Sequence, residues 1–281
     1  MYKWVIGAVL YVALVIGGYS VYEKVTADDK QAVALANEDS HESHESHESH
    51  GAQENHAHGS DLHEEGSNEV HTFVQADEKE IKIYVKDKAG NPVQELEVNH
   101  EKILHFIVVD EHLQKYYHLH PEQTGKGQFT IKSTLPEGFY KAFIDRKPKN
   151  LAYQVTPVPF IVGHPSVSAQ NLGMKPDNTL TQQIDGETVT LKMSSFAINQ
   201  PVTLTFDLDR TNLTTYLGAL GHVVIVDEGA GQYLHVHPAQ QEEPVFETQF
   251  VQPGIYKIWA EFKQDGKVRA FPFGVEIKGE K

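Results

Sequence analysis

The sequence contains no cysteine and only three methionines among its 281 residues. Without cysteine there is no disulfide, no thiolate zinc site, no iron–sulfur cluster and no blue-copper centre, since the last needs a cysteine thiolate. So few thioethers also exclude a methionine-rich site for Cu(I). Any transition metal bound here must therefore be held by histidine nitrogens with help from carboxylates, a donor set that favours Cu(II), Zn(II) or Ni(II).

Basic residues are also scarce, because 24 Lys and Arg stand against 39 Asp and Glu, giving a formal net charge of −15. Nucleic-acid binding needs a basic surface, so this balance argues against nucleic acid as a partner, and we expect none. The hydrophobic content of 40% is enough for packed cores, and the length suggests two domains. The sequence shows no nucleophile elbow, phosphate-binding loop or pair of catalytic carboxylates, so we expect no enzymatic activity.

An uncharged segment of 19 residues, Trp4 to Tyr22, lies close to the start of the sequence. A helix of this length can cross a hydrocarbon core, and Lys3 before it favours a cytoplasmic N-terminus. We therefore expect residues 1–27 to form a signal anchor in the cell membrane, with the rest of the chain extracytoplasmic. The alternative is a cleaved signal peptide, which would leave a secreted protein.

Residues 28–71 are rich in histidine and acidic residues and include the repeat "HESHESHESH". Twelve acidic residues and one lysine give this segment a local charge of −11, and it has few large apolar residues. We expect a disordered linker, because such a composition cannot bury a core. The histidines that we expect to act as weak metal ligands are His41, His44, His47, His50, His56, His58 and His63.

Short strand-like runs separated by turn residues fill the remainder of the sequence, as in "IKIYVK", "HFIVVD", "GFYKAFI" and "PVTLTFDL". Strands at this spacing predict an all-β protein made of antiparallel sandwiches. We expect two tandem immunoglobulin- or cupredoxin-like β-sandwich domains, at residues 72–165 and 180–281.

The second of these domains repeats the first. The first trio of histidines, His105, His118 and His120, has the same spacing as the second trio, His222, His235 and His237, and each is followed by proline. The segment "LPEGFYKAF" likewise matches "VQPGIYKIW". A repeat with this spacing indicates a duplicated β-domain.

The spacing of each trio predicts a metal site on a β-hairpin. Side chains alternate between the two faces of a strand, and directly opposed residues share a face. Any hairpin loop of even length therefore puts three rings on one face; for example, a loop of four residues places His105 opposite either His118 or His120. Opposed Cβ atoms are about 4.5–5.5 Å apart, so three rings can reach one ion through bonds of about 2.0–2.1 Å. The alternative is a structural turn whose rings bond to the backbone.

The repeat also indicates roles for residues near the two trios. Carboxylates near the trios that can orient rings or complete coordination are Glu111, Glu122, Asp227 and Glu228. We expect Tyr140 and Tyr256 to be core aromatics, and Phe143 and Trp259 to pack inside the sandwiches. Three further histidines without counterparts in the repeat, His100, His112 and His164, are expected on the surface.

The "YHLHP" and "YLHVHP" motifs and the histidine-rich leader resemble those of exported bacterial copper-handling proteins with cupredoxin-like or CopC-like β-sandwiches. The resemblance implies copper handling, with Cu(II) held by histidine and carboxylate. This sequence departs from true cupredoxins, which need cysteine, and from CopC-type proteins that use an amino-terminal nitrogen, unless the leader is cleaved.

The sequence therefore predicts a membrane-anchored extracytoplasmic protein that buffers or delivers copper, or alternatively zinc. A metal transporter or acceptor protein is the expected partner. Two other classes remain open: an envelope protein-interaction module that binds no metal, and a metalloenzyme, because cupins also use His-x-His on a strand.

Overall fold

The computed structural model describes residues 68–98, 101–166, 173–236, 238 and 243–279. The expected anchor at residues 1–27, nearly all of the expected linker and His237 lie outside the described residues. Within the described part of the chain, no helix is long and apolar enough to cross a membrane.

The described residues are all-β, as the sequence predicts. The strands of the first sandwich are β1 (Val70–Ala76), β2 (Glu80–Asp87), β3 (Leu96–Glu97), β4 (His105–Asp110), β5 (Tyr116–Leu119), β6 (Glu122–Gly125), β7 (Gln128–Lys132), β8 (Gly138–Asp145), β9 (Lys147–Pro148) and β10 (Val158–Val162). Those of the second are β11 (Thr181–Ile184), β12 (Glu187–Met193), β13 (Pro201–Leu208), β14 (Leu213–Thr214), β15 (His222–Asp227), β16 (Tyr233–Val236), β17 (Val245–Gln249), β18 (Gly254–Gln264) and β19 (Lys267–Ile277).

Each sandwich packs two antiparallel sheets around its own apolar core. In the first sandwich the sheet orders are β1-β2-β7-β6 and β10-β8-β4-β5. Alternation along β2 turns Ile81, Ile83 and Val85 inwards with no exposed surface, whereas the residues between them are partly exposed. This period of two is the reason the sequence forms a half-buried strand here.

The second sandwich repeats the strand order of the first. Strands β12-β13-β17 correspond to β1-β2-β7, and β19-β18-β15-β16 correspond to β10-β8-β4-β5. The predicted internal repeat and the tandem β-sandwich architecture are therefore confirmed. One boundary differs from the prediction: β1 begins at Val70, inside the expected linker, because Val70 is buried and pairs with Asp87.

The two hairpins β4–β5 and β15–β16 have loops of even length. In the first, Val109 lies opposite Tyr116 and Ile107 opposite His118, so continuing the register puts His105 opposite His120. In the second, Val224 lies opposite His235. Both registers are those expected for four-residue loops, at residues 111–114 in the first hairpin and 228–231 in the second.

The hairpin turns are closed in the same way in both copies. Oδ1 of Asp110 accepts hydrogen bonds from the backbone N–H groups of Gln114 and Lys115, both at 2.7 Å. Oδ1 of Asp227 does the same for Gly231 at 2.7 Å and Gln232 at 2.5 Å. These side-chain bonds close each turn and stabilise the loop length on which the histidine register depends.

The β8-β4-β5 face of the first sandwich packs against the β18-β15-β16 face of the second. The apolar residues between them form the interface cluster, which consists of Ile107, Val109, Leu113, Phe143, Val224, Val226, Ala230 and Trp259. Tyr116 of the first sandwich stacks on Trp259 at 5.0 Å between ring centroids, and Tyr233 of the second stacks on Phe143 at 4.8 Å. The contacts are reciprocal because the repeat supplies the same residues from both sides.

This interface corrects one expectation from the sequence. Phe143 and Trp259 do not pack inside the sandwiches; they lie between them. Tyr140 and Tyr256, three residues earlier in each strand, face the sandwich cores as expected. An odd separation along a strand reverses the face, so both aromatic residues in each strand cannot share one core.

Candidate metal centre

The first trio lies at the edge of the interface cluster, on the same face as Ile107 and Phe143. His105 begins β4 and is fully buried, while His118 and His120 come from β5 and the residue that follows it. Strand alternation and the even loop bring all three rings to this face. The structure therefore brings the first trio together as the sequence predicts.

The nitrogen atoms of the first trio converge. Nδ1 of His105 is 2.9 Å from Nε2 of His118 and 3.3 Å from Nε2 of His120. One nitrogen from each ring lies within 4.8 Å of the other two. Tetrahedral ligands with bonds of about 2.0–2.1 Å are roughly 3.3–3.4 Å apart, so the spacing suits a single transition-metal ion.

The two described rings of the second trio lie against the first trio. The ring centroid of His235 is 5.4 Å from that of His105 and 5.8 Å from that of His118. The centroid of His222 is 6.0 Å from that of His118. We call these five rings the histidine cluster. The sequence predicted a separate site in each sandwich, whereas the structure joins the described rings into one group, because the two hairpin faces are packed together.

Two carboxylates contact rings of this cluster, and each contact joins one sandwich to the other. Nδ1 of His118 lies 2.5 Å from Oε2 of Glu261, which belongs to the second sandwich. Nδ1 of His235 lies 2.8 Å from Oδ2 of Asp145, which belongs to the first. A carboxylate bonded to one ring nitrogen fixes the orientation of the ring and leaves Nε2 to face a metal ion.

Asp145 and Glu261 occupy matched positions in the repeat, and neither is among the site residues predicted from the sequence. Asp145 pairs with His105 across β4 and β8, and Glu261 pairs with His222 across β15 and β18. The signal was available: each carboxylate is five residues after the matched tyrosine of its strand and therefore faces away from the sandwich core.

The carboxylates that were predicted from the sequence to orient rings or complete coordination lie elsewhere. Asp227 closes the β15–β16 turn, Glu111 lies 3.5 Å from the His112 ring, and Glu122 and Glu228 are exposed. Of the histidines expected on the surface, His164 is exposed and His112 is partly exposed, while His100 lies outside the described residues. The seven linker histidines and His237 also lie outside them.

Burial favours the neutral form of three rings in the cluster, those of His118, His120 and His222. Burial, reinforced by His235 and His105, lowers the pKa of His118 well below its ordinary value of 6.5. Burial and neighbouring rings lower the pKa values of His120 and His222 to about 3. Burial raises the pKa of Glu261 to about 8, a shift that a bound cation would oppose. Neutral imidazoles have a free lone pair, which is the form that binds a metal ion.

These shifts predict that the metal-free protein is most stable near pH 6.5. Below this pH the unfolded chain takes up protons on His118, His120 and His222 that the folded chain does not, so the free energy of unfolding falls. Glu261 acts in the opposite direction between about pH 4.5 and 8, because its folded pKa is raised, so stability also falls as the pH rises above 6.5.

Urea unfolding in the presence of a chelator, repeated across a pH series, measures this profile. After allowing for the opposing effect of Glu261 and the partial exposure of His120, we expect the free energy of unfolding to fall by on the order of 2 kcal/mol between pH 6.5 and pH 5. His112→Ala should keep the profile, because that ring lies on the hairpin turn. An unfolding free energy that stays level across this range would contradict buried neutral rings.

Comparison with known proteins gives a family but no activity. A family model described as "Domain of unknown function (DUF8832)" matches residues 56–164 and 182–279, and these two stretches include most strands of each sandwich. No curated protein matches the chain. An Escherichia coli adhesin, FdeC, is 13% identical over 76% of this chain and 65% of its own, with a TM-score of 0.23.

The FN1–FN3 domains of chicken CNTN1 are 11% identical over 74% of this chain and 66% of their own, with a TM-score of 0.22. The chain thus spans less than two thirds of each of these solved chains. The family model, by contrast, matches well over half of the sequence and matches both sandwiches. The chain belongs to the family described as Domain of unknown function (DUF8832).

Proposed function

We propose that this protein binds a divalent transition-metal ion, Cu(II) or Zn(II), at the first trio. The observation that carries the proposal is the convergence of three imidazole nitrogens within 4.8 Å of one another on a buried face. Two further features support it: burial lowers the pKa values of His118 and His120, and the carboxylate of Glu261 orients the His118 ring. A structural turn needs none of these features, because its rings would bond to backbone.

The donor set narrows the choice of metal. The chain has no thiolate, and the described cluster offers imidazole nitrogens with carboxylates behind them. Imidazole suits Zn and Cu, whereas Cu(I) prefers sulfur. Copper as Cu(II) is our first choice of metal and zinc our second.

The wider role that we propose is metal buffering or delivery outside the cytoplasm. The uncharged segment at Trp4 to Tyr22 would anchor the chain, and the histidine-rich residues 28–71 would gather ions for the folded domains. A transporter or acceptor protein would receive the metal. The role is one of binding rather than catalysis, and both the segment and the linker are assigned from sequence alone.

The finer fold that we propose is immunoglobulin-like or cupredoxin-like. Tyr140 donates a hydrogen bond from its hydroxyl to the carbonyl of Pro136 at 2.8 Å, and Tyr256 donates one to the carbonyl of Gln252 at 2.8 Å. A tyrosine bonded to the backbone a few residues upstream is a hallmark of the corners in immunoglobulin-like sandwiches. The matched pair supports this class for both domains.

Isothermal titration calorimetry with Cu(II) and Zn(II) tests the proposed site. The titrations use a background variant, defined as the full chain with His41, His44, His47, His50, His56, His58 and His63 replaced by serine. Removing a residue that bonds to a metal ligand commonly lowers metal affinity 10–100-fold, and removing the ligand itself should lower it at least as much. We therefore expect His118→Ala or His120→Ala to weaken metal binding about 100-fold.

His112→Ala in the same background is the matched control and should bind as tightly as its parent, because His112 lies outside the cluster. Circular dichroism checks that each variant folds. Because His120 is the more exposed of the two rings, His120→Ala still tests the site if His118→Ala does not fold. Equal affinity in His120→Ala and His112→Ala would contradict the site. Absence of binding in the parent would favour the interaction-module alternative.

A further inference from the structure

We infer that one metal ion is shared by the two sandwiches, with His235 of the second sandwich supplying a fourth nitrogen to the three of the first trio. This inference rests on the proposed function and makes it more specific. It replaces two equivalent sites, one in each copy of the repeat, by a single centre at the interface. The ion would then fasten the two domains to each other.

The position of His235 is the first argument. Its ring centroid lies 5.4 Å from that of His105, close to the spacing of 4.7–5.1 Å within the first trio. Its side chain is almost completely buried. No nitrogen of His235 belongs to the set within 4.8 Å, so coordination requires this ring to move towards the ion. Metal binding would therefore draw the second sandwich onto the first.

The orientation of His235 is the second argument. Because its Nδ1 lies 2.8 Å from Oδ2 of Asp145, the carboxylate orients the ring, and Nε2 is the nitrogen that would bind a metal ion. His118 has the same arrangement, since its Nδ1 lies against Glu261 and its Nε2 faces His105. Each of these two rings is thus oriented through its Nδ1 by a carboxylate from the opposite sandwich.

His222 differs from His235 in a way that makes it a weaker candidate. Its Nε2 lies 2.9 Å from the backbone carbonyl of Tyr216, and its centroid is 6.0 Å from that of His118. Its ring lies beside that of His235, with 5.8 Å between the two centroids. A second divalent ion placed this close would also be repelled by the first in a buried site, which favours single occupancy.

Glu261 is the positioning residue that this arrangement requires. It belongs to the second sandwich, yet its carboxylate contacts a ligand of the first. Loss of an outer-shell carboxylate commonly lowers metal affinity 10–100-fold. A substitution of Glu261 in β18 should therefore weaken the binding of an ion whose three nearest ligands all lie in the other domain.

The test combines zinc titration and amide hydrogen exchange in the background variant. We expect one zinc ion per chain, with affinity lowered about 10–100-fold by Glu261→Gln and by His235→Gln. Glutamine at 235 retains a donor for Asp145, which limits misfolding, and Glu261→Asp should recover part of the affinity. Glu111→Gln and His112→Ala are matched controls on the hairpin turn. Each should change zinc affinity by less than about 2-fold from that of the parent, against the 10–100-fold loss expected at the site.

Hydrogen exchange separates a ligand from a purely structural group. Zinc should slow exchange in β15 and β16 as well as in β4 and β5, and His235→Gln should abolish only the protection of β15 and β16. Two zinc ions per chain, or full zinc affinity in both Glu261→Gln and His235→Gln, would overturn the shared ion while leaving the proposed function intact. No zinc or copper binding in the parent would instead refute the proposed function itself.

Discussion

Trp259→Ala is expected to lower the free energy of unfolding by about 3–5 kcal/mol, the range for truncating a buried large aromatic residue. Trp259 is 2% exposed, belongs to the interface cluster and stacks on Tyr116 of the other sandwich. The cavity would open at the interface rather than inside a sandwich, so metal affinity should fall as well. Chemical denaturation and zinc titration in the background variant measure the two effects.

Phe143→Ala provides the matched variant, because Phe143 occupies the equivalent position and stacks on Tyr233. It should produce a loss of similar size. Phe196→Ala is the control, since its 40% exposed side chain lies outside the interface cluster and should change stability by no more than about 0.5 kcal/mol. A loss below about 1 kcal/mol in both interface variants would show that the sandwiches are not held together by this cluster.

The strands and the repeat could be predicted from local patterns because both depend on short-range order. Alternation in "EIKIYVKD" assigns one face of β2 to a core without any knowledge of the other sheet. The run "HFIVVD" is different, since it is apolar at every position from Phe106 to Val109. Such a strand is buried on both faces, but the sequence does not say which neighbour covers the second face.

The site was predicted only as far as a single hairpin determines it. Loop parity brought His105, His118 and His120 together correctly, because it involves residues at most 15 positions apart. The contacts of His118 with Glu261 and of His235 with Asp145 join residues 143 and 90 positions apart. These contacts depend on how two folded domains pack, and no periodicity within either domain reports on that.

The repeat nevertheless contained a clue to the packing. Matched residues on the outer face of both copies, Phe143 with Trp259 and Asp145 with Glu261, have no place in the sandwich cores. An outer face with an apolar centre and a buried carboxylate needs a cover. The simplest cover for a duplicated face is its own copy, which gives the reciprocal contacts seen here.

Zinc at about 1,000 times its dissociation constant is expected to stabilise the background variant by about 4 kcal/mol, because a ligand that binds only the folded state adds RT ln(1 + [L]/Kd). For a folded part of this size, each kcal/mol raises Tm by about 2–4 °C, so Tm should rise by about 10 °C. The reason is structural: the ligands converge only when β4, β5 and their loop are folded. Thermal denaturation followed by circular dichroism measures the rise.

A chelator should return Tm to its starting value, and His120→Ala should lose most of the rise, since it removes one of the three converging nitrogens. His112→Ala should retain the rise, because its ring lies on the hairpin turn beside Glu111. A rise of equal size in both variants would mean that the metal stabilises the protein from somewhere other than the histidine cluster. The comparison therefore tests the link between hairpin geometry and metal binding, because only the position of the lost ring differs between the two variants.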